Sequence, residues 1–381
     1  MSEILKAPQG EFALSRFPKR SNEKLRAWDA ADEYLLNHIA EHAELSDNST
    51  ILIVNDSFGV LSVALSSYAP HMLSDSYLAH QGALTNLADN QRSQNQIQLL
   101  SSCDALSGYF DVVIIKIPKS LALLEDQLRR LRPHLKTDTL ILAAGMVKSI
   151  HTSTLKLFEK IIGPTKTSLA RKKARLIFST LCHSVEPGVN PFPKSYLLDG
   201  TDYQISNHSG VFSQGGLDIG TRFFLQNLPK VEGRKKIIDL GCGNGVLGLM
   251  MADQAADCEL LFVDESYMAV DSAASNFCAA FGDVRTAKFT VTDCLKGVEP
   301  NSADIILNNP PFHQQNAVGD FIARQMFHEA KQVLKEGGEL WVIGNRHLGY
   351  HVLLKRLFDN CSVMASNKKF VILKSIKART Q

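Results

Sequence analysis

The chain has 381 residues, of which 45% are hydrophobic and 21% charged, with a formal net charge of +2. Those totals suit two or three ordinary globular domains and exclude a disordered or polycationic chain, so nucleic-acid contacts would have to come from local patches. No apolar run approaches the roughly 20 residues of a membrane helix, and the opening MSEILKAPQGEF lacks the apolar centre of a signal peptide.

In chain order, ILIVNDSFGVLSVAL (51–65) reads as a buried strand, a turn and the start of a helix. YFDVVIIKIPK (109–119) is a second buried strand, LEDQLRRL an amphipathic helix, and TLILAAG (139–145) another strand. KTSLARKKAR (166–175) carries five cations in ten residues, either a solvated helix face or a footprint on an RNA backbone. EPGVNPFPKSYLLDGTDYQISNHSG (186–210), with three prolines and a hairpin signal at Asp199-Gly200, separates a domain 1–185 from a domain 186–381. The second half repeats the first: IIDLGCGNGVLGLM (237–250) lies over 51–65, and SYMA (266–269) over SYLA (76–79). SADIILNNPPF (302–312) lies over 109–119, and ELWVIGN (339–345) over 139–145. Four matches in one order indicate an internal duplication of an α/β unit with a mainly parallel sheet. SVMASNKKFVILKSI (362–376) closes the second copy as an antiparallel hairpin. The cysteines (103, 182, 242, 258, 278, 294, 361) form no CxxC pair or Cys/His ligand set, which points to reduced thiols, a cytoplasmic location and no metal.

Chemistry concentrates in the second half. The strand ending Asp239-Leu240 runs into Gly241-Cys242-Gly243-Asn244-Gly245 and a helix, a loop where a ligand can touch the main chain or merely a tight strand–helix turn. Asp264 ends the next strand, LLFVDES, where an acid can accept from both ribose hydroxyls of a nucleoside or simply cap the following helix. Asp293 ends AKFTVTD, at a place suited to an adenine amine. After strand DIILN come Asn309, Pro310, Pro311 and Phe312. The prolines end the strand and fix the side-chain oxygen of Asn309 and the carbonyl of Pro310 as acceptors, while Phe312 offers a flat face for a base. His313 reads as a surface histidine. Neither Cys242 nor Cys294 sits in a Pro-Cys arrangement, which argues against covalent attack on a pyrimidine.

DLGCGNG, VDES, TD and NPPF, in that order and spacing, resemble class I S-adenosylmethionine-dependent methyltransferases. With the duplicated layout, the lead-in GVFSQGGLDIGTRFF (210–224) and the tail GNRHL, the chain resembles the bacterial ribosomal RNA guanine-N2 methyltransferases of the tandem-domain type. HQQNA after NPPF favours the large-subunit members over the small-subunit ones. The resemblance implies two tandem Rossmann-like domains and S-adenosyl-L-methionine as methyl donor. It also implies a guanine of 23S ribosomal RNA as acceptor. The cofactor residues it implies are Phe212, Asp218, Gly220, Asp239, Gly241, Gly243, Gly245, Asp264, Asp293 and Asn309, and the acceptor is gripped by Asn309, Pro310 and Phe312. A 16S guanine, or a glutamine amide in a protein, are the alternative acceptors.

The first copy has lost these features: Gly241 and Gly243 become Asn55 and Ser57, Asp239 becomes Ile53, Asp264 becomes Ser74, and Asn309 becomes Lys116. A lysine offers donors only and suits a phosphate. Lys116, Lys119, Arg171, Lys172, Lys173 and Arg175 are the expected RNA-binding residues of this half.

Overall fold

A computed structural model describes residues 3–20, 23–213, 215–311 and 317–379. They form two compact units, Met1–Phe192 and Pro193–Gln381. The sheet of the first unit runs, edge to edge, Gln98–Ser101, His71–Ser74, Ile51–Val54, Phe110–Lys116, Leu135–Met146, Ala174–Ser179 and Thr165–Thr167. That of the second runs Ala287–Val291, Glu259–Asp264, Lys236–Leu240, Ala303–Asn308, Leu334–Asn345, Phe370–Ile376 and Ser362–Ser366. In both, the first five strands are parallel and the last two antiparallel, as the internal repeat and the terminal hairpin predict. Ile51–Val54 is buried along its whole length, because helices cover both faces of the sheet; an uninterrupted apolar run is what such a strand requires. Chain order reverses beside the strand Lys236–Leu240, and in open α/β sheets ligands bind at the carboxyl end of such a strand. Among the described residues no helix is long and apolar enough to cross a membrane.

The copies share side-chain contacts that the sequence comparison did not reach. Asn276 accepts from the Ser206 N–H at 2.7 Å and donates to the carbonyls of Ser206 and Asn244, at 3.0 and 2.9 Å. Asn86 does the same with Ser15 (2.9 and 2.9 Å) and Phe58 (2.8 Å). Each asparagine thereby ties its glycine loop to an antiparallel hairpin, Lys194–Leu197 with Gln204–Asn207 in one unit and Glu3–Ala7 with Gly10–Leu14 in the other. Asp304 accepts from the Lys236 N–H and from Lys335, both at 2.8 Å; Asp111 accepts from the Thr50 N–H at 2.8 Å and Lys136 at 2.6 Å.

Two expectations for the first unit need correction. Lys116 is not offered to a phosphate: its side chain is 16% exposed and its ammonium donates to Asp29 at 3.0 Å and Asp32 at 2.6 Å. Residues 166–175 are not a helix face but the hairpin between the edge strand Thr165–Thr167 and its neighbour Ala174–Ser179, with Lys172 and Lys173 in left-handed conformation at its turn. There Lys172 pairs with Glu33 at 2.7 Å and the Arg171 guanidinium lies 5.0 Å from the Tyr34 ring centre. Lys119, Arg171 and Lys173 are exposed, whereas Arg175 is half-buried. Cations on an edge strand also discourage pairing with another sheet.

Lys116→Ala should destabilise the first unit by about 3–5 kcal/mol, because it leaves the buried Asp32 carboxylate without its counter-charge. Urea unfolding of the full chain would check this, and the double variant with Asp32→Ala should recover part of the loss. A loss below about 1 kcal/mol would mean that the pair adds little.

Candidate active site in the second unit

The carboxyl ends of the strands Lys236–Leu240, Glu259–Asp264 and Ala303–Asn308 carry the glycine loop, Asp264 and the asparagines. After Lys236–Leu240, the N–H groups of Gly241 and Cys242 both donate to the Val263 carbonyl, at 2.8 and 3.0 Å, which folds the loop against the neighbouring strand. Gly243 has φ +54° and a Cβ there would meet nothing within 4 Å, so its backbone faces open space that a ligand can enter closely. Gly245 starts the helix Val246–Gln254 at φ +80°, and a Cβ on it would stand 2.8 Å from that of Ala273. One glycine keeps the cradle open; the other lets two helices meet.

Asp264 ends its strand with Oδ2 accepting from the Gly243 N–H and Oδ1 from the Ser266 N–H, each at 3.0 Å. Burial raises its pKa, opposed by those two bonds. Both oxygens keep a lone pair directed away from the backbone donors. Asp239 is fully buried. Its Oδ2 accepts from the Gly248 N–H at 2.9 Å, its Oδ1 has no partner, and burial lifts its pKa to about 7. In the first unit this acid is Ile53 and the helix is held from within the loop instead: Asp56 accepts from the N–H groups of Val60 and Ser62 at 2.9 and 2.8 Å. Asn55 there closes the cradle with its own side chain, bonded to Gln127 at 2.9 and 2.8 Å.

Folding raises the Asp239 pKa above its unfolded value, so the folded chain retains a proton that the unfolded chain releases between about pH 4 and 7. The group therefore stabilises fully below that window, and the contribution fades as pH rises through about 7. Asp239→Asn should flatten this fall, read as the wild-type-minus-variant difference in unfolding free energy at pH 5 and pH 7.5.

At the end of the strand Ala303–Asn308, two asparagines face the cradle. Asn308 is fully buried and donates through Nδ2 to the Leu240 carbonyl at 2.8 Å. Asn309 donates through Nδ2 to the Thr221 hydroxyl at 3.1 Å. The Oδ1 atoms of both are buried and without a partner. With Asp239, three unsatisfied acceptors lie around one open loop, as expected of a site built for a ligand rich in donors or positive charge. Pro310 is buried; Phe312 and His313 lie outside the described residues. Asp293, 8% exposed, accepts from Gln325 at 3.1 Å, and Gln325 also bonds Glu329 at 2.8 Å. Burial holds the thiols of Cys242 and Cys294 well above their ordinary pKa, so neither is a thiolate nucleophile.

The lead-in segment runs into the helix Ile219–Leu225. Phe212 stands 72% exposed. Asp218 caps the helix Ile219–Leu225, its Oδ2 accepting from the Thr221 N–H at 3.0 Å. Gly220 is buried, where a Cβ would lie 2.9 Å from Asp218 Oδ2 and 3.1 Å from Phe370. Sequence reading passed over Thr221, Asn308 and Asn276. Thr221 adjoins two residues it did select, and extending the SYMA–SYLA match would have set Asn276 over Asn86.

A parallel sheet with a glycine loop, strand-end acids and an Asn-Pro-Pro turn defines a class I S-adenosylmethionine-dependent methyltransferase. The RLMG N-terminal domain model matches residues 2–183 and the Methyltransferase small domain model residues 202–374. A ribosomal RNA large subunit methyltransferase G from Streptomyces avermitilis is 48% identical over 99% of this chain and 100% of its own length. One from Aeromonas salmonicida is 49% identical over 99% and 100%. The chain belongs to the ribosomal RNA large subunit methyltransferase G family. Its fold matches that of the T. thermophilus 16S rRNA N2 G1207 methyltransferase, solved with AdoMet and guanosine, with a TM-score of 0.77 and 21% identity over 99% of this chain and 98% of that one.

Proposed function

We propose that the chain transfers a methyl group from S-adenosyl-L-methionine to the exocyclic N2 amine of a guanine in 23S ribosomal RNA, in the cytoplasm. The observation that carries this reading is the buried, unpartnered Oδ1 of Asn309 at the mouth of an open glycine cradle. The lone pair of a guanine N2 is delocalised into the ring, so the amine needs orientation and hydrogen-bond acceptors more than a strong base. Those acceptors draw on its N–H groups as positive charge grows on nitrogen. Asn309 Oδ1 and the Pro310 carbonyl supply them, and Phe312 supplies a face for the flipped base. The donor contributes an electrophilic methyl group on a sulfonium. Asp264 accepts from the ribose hydroxyls of its nucleoside, Asp293 from the adenine amine, and the cradle at Gly243 admits it. The names carried by full-length relatives support the large subunit as substrate.

In the same reading the first unit holds RNA without methylating it, through exposed cations such as Lys119, Arg171 and Lys173. Mass spectrometry of rRNA nucleosides from cells lacking the gene tests the proposal. A missing N2-methylguanosine in 23S rRNA, with 16S rRNA intact, is the expected result. Loss from 16S rRNA alone would overturn the large-subunit assignment, and unchanged rRNA would overturn the function.

A further inference from the structure

A carboxamide is nearly symmetric in shape, so the grip assigned to Asn309 works only if its oxygen, and not its NH2, faces the incoming amine. Turned over, Asn309 would set donor against donor. The residue that decides the orientation must occupy the other side of the amide and accept a hydrogen bond.

Thr221 is placed to do this. Its hydroxyl oxygen lies 3.1 Å from Asn309 Nδ2, and the side chain is 8% exposed, so water does not compete for the contact. Its own backbone is fixed, because the Thr221 N–H donates to Asp218 Oδ2 at 3.0 Å. Gly220, between them, makes that approach possible, since a Cβ there would stand 2.9 Å from the same oxygen.

A hydroxyl can donate as well as accept, and one contact alone leaves the direction open. The first unit offers a parallel. Asp29 caps the helix Ala30–His42 as Asp218 caps Ile219–Leu225, and Asp32 follows Asp29 by the same step that separates Thr221 from Asp218. Lys116 stands where Asn309 stands in the second copy and donates to Asp32 at 2.6 Å. Lysine can only donate, so in that copy the bond runs from the strand-end residue to the helix residue. The same direction in the second unit makes Thr221 the acceptor and leaves Asn309 Oδ1, which is buried and without a partner, for the amine.

We infer that Thr221 is the positioning residue of the transfer: it takes a hydrogen of Asn309 Nδ2 and so presents Oδ1 to the amine that receives the methyl group. The inference rests on the role given to Asn309 above. Thr221→Val keeps the shape and removes the hydroxyl, and Thr221→Ser keeps the hydroxyl. In the full chain with an rRNA substrate, Thr221→Val should lower kcat by about 10- to 100-fold, with KM for RNA and the calorimetric affinity for S-adenosylmethionine within about twofold of wild type. Thr221→Ser should restore kcat to within a few-fold, and Thr221→Val combined with Asn309→Ala should be no slower than Asn309→Ala alone. A wild-type kcat in Thr221→Val, or equal losses in the Val and Ser variants, would overturn the positioning role. So would a loss confined to KM, or cofactor affinity lost along with turnover. A wild-type Asn309→Ala would instead remove the reading on which it stands, so the two failures are distinct.

Discussion

Asn309→Ala should reduce methyl transfer by at least roughly 10²–10³-fold while leaving the dissociation constant for S-adenosylmethionine within a few-fold of wild type. The asparagine touches the acceptor side of the crevice. Its Nδ2 is committed to Thr221, its Oδ1 is buried without a partner, and the cradle glycine and the strand-end acid belong to other segments. Truncation therefore removes an interaction that strengthens as charge develops on the amine, and it leaves the cofactor pocket standing. The expected signature is a fall in kcat with little change in cofactor titration. The two prolines that follow keep the backbone extended in the variant, so the loss is chemical and not a local unfolding. Turnover near wild type, or loss of cofactor binding in parallel, would refute the role.

The other large effect concerns stoichiometry. One chain should bind one S-adenosylmethionine, and Asp264→Ala should weaken that binding by about 10²–10⁴-fold, the worth of two hydrogen bonds to a charged acceptor. The carboxylate also holds the Gly243 N–H, so its removal loosens the cradle as well as the ribose contact. The first unit lacks both parts. Ser74 stands in place of Asp264, and its hydroxyl accepts from the Ser76 N–H at 3.1 Å. Asn55 and Gln127 fill the space over the loop with each other. Calorimetry of the full chain would give the count, and Asp264→Asn, which keeps one oxygen acceptor, should fall between Ala and wild type. Two sites per chain would show that the first unit still binds cofactor.

The strands and the mainly parallel sheet were legible because they depend on long apolar runs punctuated by glycine and proline. IIDLGCGNG and DIILNNPP each announce a buried strand and its end, and the repeat of four such segments carries the topology from one half to the other. The acids and glycines of the site were legible for the same reason: they occur at fixed places relative to strand ends. What could not be read was partnership between distant side chains. Lys116 looked like a free cation because nothing in IKIPK points to Asp29 and Asp32, which reach it only once the helix Ala30–His42 packs across the sheet. KTSLARKKAR left a solvated helix face open as one of two readings, yet two left-handed lysines and edge pairing decide it as a hairpin. Thr221 was invisible because a buried threonine is ordinary until the atom it touches is known.

The two copies also form a matched experiment on the conflict between activity and stability. Where the second unit holds Asp239, Asn308 and Asn309, each with a buried oxygen that nothing in the chain satisfies, the first holds Ile53, Ile115 and Lys116, two apolar side chains and one fully engaged cation. A buried acceptor without a partner disfavours the folded state by about 1–3 kcal/mol, so an empty working pocket is a standing strain on its own domain. At these three positions the first copy is relieved of that strain. Methyl donor in excess does the same for the second copy by mass action. Under the function proposed above, the stability of the second unit should therefore rise with the supply of the molecule it consumes.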